Sequence, residues 1–239
     1  MVTIVIDFMS PRRDSRTETE LRCDIRTARF TVLDTELTGL NERKDSIISI
    51  GAVRMCGGSV SLGDSYYRLI NPETRLTAES VVIHEITPSE VSEKPEIRTV
   101  LSEFLNYCGN DVLVGFCVSI DMEFLQRATK KFMGRTIRNR FVDVKTLYEW
   151  MRYKCAAIKK EPVTLPGRYG LYDIAKYFDI PVNGSHNALI DAYVTAQIFQ
   201  RFFPVFVQAG IMSVSDLLEL SERLKGGDSN TVTGCMSNF

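Results

Sequence analysis

Three runs rich in β-branched and aromatic residues, separated by turns too short to hold a helix, begin at Phe30. FTVLD is followed by the polar stretch GLNERKD, then SIISIGAVRM, then the glycine pair at 57–58 and SVSLGDSYYRLI. This spacing predicts an antiparallel meander. The pattern then changes. Thr87-Pro88-Ser89-Glu90 reads as a capping box with proline at the first helical position, so a short helix should start there. Residues 96–107 place Ile97, Val100, Leu101, Phe104 and Leu105 on one helical stripe. DVLVGF is a further buried strand, followed by an amphipathic helix over about 120–132. Residues 141–154 start as a strand and continue as a helix, and helices are expected near 170–178, 187–209 and 213–224. Strands first, then strands alternating with helices, give an α/β fold with a mixed sheet covered by helices.

Ahead of this domain, residues 10–29 carry a charge at ten of twenty positions and cannot build a core of their own. The expected organisation is a charged arm over 1–29, a domain over 30–209, and a helix with a flexible polar tail over 210–239. Across the chain 29 basic residues face 30 acidic ones, so a nucleic-acid partner would have to meet a local basic patch. The apolar run from Ala188 to Met212 is broken by Asp191, Arg201 and Pro204, which argues against a membrane span. The first residues put their basic groups after the apolar ones, the wrong order for a secretory signal, and the expected compartment is the cytoplasm. Six cysteines without a CxxC pair read as reduced core thiols, and two histidines are too few for a histidine-rich metal site.

Three places carry acids where chemistry could occur. Asp34 and Glu36 stand two apart at the end of the first strand, so both carboxylates share a face roughly 6–7 Å apart. Such like charges repel unless a cation lies between them, and hard oxygen ligands suit Mg²⁺ or Mn²⁺. Solvated strand-end acids are the plainer alternative. Asp121 follows the strand DVLVGF in the first turn of a helix, where an acid can simply serve the helix dipole. It is also the end of a strand at which open α/β sheets bind ligands. Ser185 reads as a helix N-cap that leaves His186 at the helix mouth, while Asp191 sits among Ala188, Leu189, Ala192 and Val194. An unpaired charge there is expensive unless it lies on the polar side of the helix or a metal neutralises it.

VLDTELTGL, GFCVSIDMEFL and HNALIDA, in this order, resemble the three motifs of the DEDDh 3′–5′ exonucleases, a family that includes the proofreading epsilon subunit of bacterial DNA polymerase III. IISIGAV, IHEIT and FVDVKTL add supporting matches, and the resemblance runs from about Phe30 to Phe203. It implies a ribonuclease H-like mixed sheet flanked by helices. It also implies that Asp34, Glu36, Asp121 and Asp191 hold two divalent ions, Mg²⁺ or Mn²⁺, and that His186 is the general base. Thr38, Gly39 and Leu40 would receive the terminal nucleotide. A histidine near its ordinary pKa of about 6.5 can take a proton from water near neutral pH. The implied partners are the 3′ end of single-stranded DNA or RNA and a DNA polymerase, with no membrane.

Two positions depart from the family pattern. Phe116 and Cys117 stand where many epsilon-like chains carry His-Asn, which removes polar support near Asp121. Leu37 replaces the threonine of the commoner DTETTG form and blurs the distinction from RNA-trimming relatives. The basic residues Lys130, Lys131, Arg135, Arg138 and Arg140, then Lys159, Lys160 and Arg168, could track phosphates or form a solvated face. The expected function is metal-dependent removal of nucleoside monophosphates from single-stranded DNA. An exoribonuclease of the same fold and an inactive nucleic-acid-binding module stand as alternatives.

Overall fold

The computed structural model of the protein describes residues 21–41, 43–159, 169–182, 184 and 186–227. The three expected strands form as β1 (Arg29–Leu37), β2 (Ile47–Cys56) and β3 (Ser59–Leu69), paired antiparallel in sequence. On the other side of β1, β4 (Val112–Gly115) and the three-residue β5 (Phe141–Asp143) add in parallel. The order is β3-β2-β1-β4-β5, a mixed α/β sheet as the strand spacing predicts.

Alternation along β1 divides the interior into two layers. Phe30 and Val32 enter one core with α5 (Val144–Lys159), α6 (Leu171–Tyr177), α7 (Ala188–Gln208) and α8 (Val214–Gly227). Leu33 and Leu37 enter the other with α3 (Ile97–Cys108) and α4 (Ser119–Met133). The first core is built on edge-to-face aromatic rings, with Phe30 5.3 Å from Phe199 and Phe203 5.8 Å from Phe206. Its many apolar residues explain the apolar run from Ala188: α7 is a core helix lying across β1 and β2. Among the described residues no helix is long and apolar enough to cross a membrane.

One close approach sets where α7 begins. Gly51 pairs across the sheet with Asp34, and a side-chain carbon on it would lie 2.2 Å from the main chain of Ala188 and Leu189. Only a glycine lets the helix start rest on the strand there.

Several features depart from the sequence reading. Ala78–His84 forms a helix, α1, capped by Thr77, ahead of the one-turn α2 (Pro88–Val91) at the capping box. The arm is not wholly solvated: Ile25 is buried, its N–H donates to the Met212 carbonyl at 2.9 Å, and Asp24 bridges Ser213 just before α8. Cys23, Cys56 and Cys108 are free thiols, but Cys117 is disulfide-bonded, so the expectation of uniformly reduced cysteines fails. The N-cap of α7 is Asn187, whose Oδ1 accepts from the N–H groups of Leu189 and Ile190 at 3.1 and 3.3 Å. Ser185, residues 1–20, Lys160, Arg168 and the tail beyond 227 lie outside the described residues.

Candidate active site

The strand pleat puts Asp34 and Glu36 on the α7 side of the sheet, the side of Phe30 and Val32. Because α7 starts directly on Gly51, Asp191, in its first turn, is delivered beside them. Carboxylate oxygens of Asp34, Glu36 and Asp191 all lie within 4.8 Å of one another. Asp121 arrives from the opposite layer, in the first turn of α4, and lines the same cleft of about 330 Å³ without joining that closest trio. Thr35, on the other face of β1, donates to Asp121 Oδ1 at 2.6 Å and fixes it. Asp143, at the end of β5, holds the entry to α4: its Oδ2 accepts from the Val118 N–H at 2.9 Å and its Oδ1 from the Lys145 N–H at 2.9 Å.

The acids are strained electrostatically. Glu36, Asp121 and Asp191 are each 6 % exposed. Among the described residues no lysine or arginine pairs with any of the four. Burial, reinforced by the charges of Asp191 and Asp121, pushes Glu36 up to about 8. Burial pushes Asp121 up to about 7 against the opposing pull of the Thr35 hydroxyl. Asp34 is raised well above the usual carboxylate range by burial and by the charges of Asp121, Glu36 and Asp191. Asp191 is raised by burial, while donation from Tyr172 pulls the other way. Carboxylates that cannot comfortably ionise together, offered as hard oxygen donors around one small space, fit a divalent cation.

His186 lines the same cleft and adopts a left-handed backbone at φ 56°, uncommon for a residue with a side chain. Its N–H donates to Tyr172 Oη at 2.9 Å, and the Tyr172 hydroxyl donates in turn to Asp191 Oδ1 at 2.6 Å. Thr38 closes the β1–β2 turn, donating to Asp45 Oδ1 at 3.1 Å and accepting from the Ser46 N–H at 3.0 Å. Gly39 lies against the same Asp45 carboxylate, where a side-chain carbon would sit 2.6 Å from Oδ2. Leu40 packs half-buried on the α3–α4 core.

A family model described as an exonuclease matches residues 31–199, a span that begins on β1 and ends in α7. The chain belongs to this exonuclease family. It is 32% identical over 82% of its length to the DNA polymerase III PolC-type of Thermotoga maritima, of which it spans only 13%. It is 30% identical to the DNA polymerase III subunit epsilon of Aquifex aeolicus, covering 75% of this chain and 83% of that protein. The exonuclease fold recurs in Exonuclease X in complex with 5′ overhanging duplex DNA, with a TM-score of 0.60 at 20% identity over 80% of this chain and 99% of that one. E. coli Exonuclease I in complex with a dT13 oligonucleotide gives a TM-score of 0.63 at 19% identity, covering 77% of this chain and 43% of that one.

Within this exonuclease domain the structure brings Asp34, Glu36, Asp121, His186 and Asp191 to one cleft, and places Thr38, Gly39 and Leu40 on the turn that follows β1. Phe116 and Cys117, the departures in the second motif, line the cleft too, with Cys117 at φ 53°. Of the basic residues that could track phosphates or form a solvated face, Lys131 pairs with Glu73 at 2.6 Å and Arg140 with Glu222 at 3.6 Å. The sequence reading missed Thr35, Asp143 and Tyr172. FVDVKTL at least flagged Asp143 as part of a motif, whereas nothing in the spacing of GLYDIAKYF marks Tyr172.

Proposed function

We propose that this chain is a divalent-metal-dependent 3′–5′ exonuclease that releases nucleoside monophosphates from the end of single-stranded DNA. The observation that carries the reading is the trio Asp34, Glu36 and Asp191 within 4.8 Å, the last two buried, paired with no lysine or arginine among the described residues and sharing a cleft with His186. Asp34, Glu36, Asp121 and Asp191 would hold two ions, Mg²⁺ or Mn²⁺. When bound, such a pair stabilises the attacking and leaving oxygens of an in-line displacement at phosphorus. His186 accepts the proton of the attacking water from its position at the mouth of α7. The main chain at Thr38 and Gly39, tied down through Asp45, receives the terminal nucleotide, and Leu40 packs against its base.

DNA as the substrate is supported by the two relatives near 30% identity, both named as DNA polymerase III proteins. The same likeness supports a replicative DNA polymerase as partner and the cytoplasm as compartment. The deciding assay digests matched 3′-labelled DNA and RNA oligonucleotides side by side with Mg²⁺, Mn²⁺ or EDTA. Stepwise release of deoxynucleoside monophosphates, silenced by EDTA, is expected. Faster loss of the RNA would move the substrate to ribonucleotides, and metal binding without hydrolysis of either would leave a binding module.

A further inference from the structure

The hydroxyl of Tyr172 touches two parts of the site at once. Its proton goes to Asp191 Oδ1 at 2.6 Å, and its lone pair receives the His186 N–H at 2.9 Å. The ring stands edge-on to the His186 imidazole, with centroids 5.8 Å apart and planes at 87°. A phenol has one proton to give and can accept in return, so this hydroxyl is used on both sides. His186 needs such a tether. Its left-handed backbone at φ 56° is disfavoured for a residue bearing a side chain and persists only where surroundings hold it. Asp191 is buried, and among the described residues no lysine or arginine pairs with it, so a donor is needed to fix which oxygen faces the cleft.

We propose that Tyr172 is a positioning residue for the hydrolytic site: one hydroxyl sets the Asp191 carboxylate and the His186 main chain in register with each other. The proposal rests on the nuclease reading for what that register serves. Tyr172 sits on α6, between the core residues Leu171 and Ile174. The site is therefore braced from an element that contributes none of the four acids. Removing a partner that orients a metal ligand typically costs 10–100-fold in metal affinity or activity.

Tyr172→Phe deletes the hydroxyl and keeps the ring, so the packing against His186 survives. Tyr169→Phe is the matched control, since that hydroxyl serves Glu149 at 2.8 Å. Three readouts apply to the full chain: Mn²⁺ affinity by calorimetry, KM and kcat on a 3′-labelled strand, and thermal denaturation. Tyr172→Phe should weaken Mn²⁺ binding and, at saturating Mn²⁺, lower kcat at least tenfold with KM within about threefold. In a His186→Ala background the same change should cost less in kcat than in wild type, because only the Asp191 half of the hydroxyl's role is left to lose. Tyr169→Phe should match wild type in both. Mn²⁺ affinity and kcat of Tyr172→Phe both within threefold of wild type would overturn the proposal. So would the same loss retained in full in the His186→Ala background. If wild type binds Mn²⁺ but cleaves nothing, the nuclease reading fails, and the affinity measurement alone decides whether Tyr172 orients Asp191.

Discussion

Two ends of the same strand pair handle a buried carboxylate in opposite ways. At the start of β4, Asp111 is 5 % exposed and fully provided for. Thr31 donates to it at 2.9 Å, Arg29 Nε stands at 3.2 Å, and Arg54 Nε at 3.5 Å adds attraction without a hydrogen bond. At the other end of β1, Asp34 and Glu36 meet Asp191 and Asp121, and among the described residues side-chain hydroxyls donate only to the last two. Buried charges are normally paired or bound to metal, because leaving one unpaired costs several kcal/mol. The fold demonstrates at Asp111 that it can supply arginines. Among the described residues it supplies none to the acids a few residues away, an arrangement that fits a cation arriving from outside.

The sharpest way to break that contrast is to remove the cation or its ligands. EDTA, Asp34→Ala and Asp191→Ala should each reduce single-turnover cleavage to background while the variants keep a cooperative melting transition. Cleavage by Asp34→Ala, or cleavage in EDTA, would mean that the unpaired cluster serves something else. Next comes the base. His186→Ala should slow hydrolysis by roughly 10²–10⁴-fold while oligonucleotide and Mn²⁺ binding persist. A variant within about threefold of wild type from pH 5.5 to 9 would take His186 out of the reaction.

The paired end should respond in stability rather than rate. Asp111→Ala leaves the buried Thr31 hydroxyl without its acceptor and removes the carboxylate beside Arg29 and Arg54, although Arg54 keeps Asp64 at 2.7 Å, and should cost about 1–2 kcal/mol in denaturant unfolding. The activity of the remaining folded protein should be unchanged. A loss below about 0.5 kcal/mol would mean the arginines do not stabilise that end. The smallest effect is a pH slope. With Glu36 raised to about 8 and Asp121 to about 7, the metal-free native state binds more protons than the unfolded chain over roughly pH 5–8. Stability must then fall as pH rises through that window, since the folded form has to ionise groups it holds neutral. Each tenfold change in proton affinity between the folded and unfolded chain is worth roughly 1.4 kcal/mol, so the melting temperature in EDTA should drop by at least about 3 °C from pH 5 to 8. Saturating Mn²⁺ or Glu36→Gln should flatten the slope. A flat profile in EDTA would contradict the assignment of strain to these acids.

Much of this contrast was legible from local pattern. Period-two spacing placed Asp34 and Glu36 on one face, and the strand-then-helix order gave a mixed sheet with Asp121 at a strand end. What escaped depends on contacts distant in sequence or on weak local signals. Tyr172 becomes functional only because α6 packs beside the start of α7. Ile25 looked like a lone apolar residue in a charged arm, yet the α7–α8 connection buries it. Helix α1 hid behind Val81, Val82 and Ile83, β-branched residues that favour strands, although Thr77 supplied a cap. Asn187 rather than Ser185 caps α7, a two-residue displacement that changes how His186 enters the site.

Gly51 lies on a strand that supplies no acid, base or nucleotide contact, yet the start of α7 rests on its bare main chain. A methyl group there would have to lift the helix, and Asp191 rides on its first turn. In a saturation screen read by enzyme output, Gly51 should therefore score with the acids themselves. A map of such intolerance would place a false reactive centre on β2, where the hydrogen of a glycine serves as the gauge block for the distance across the cleft.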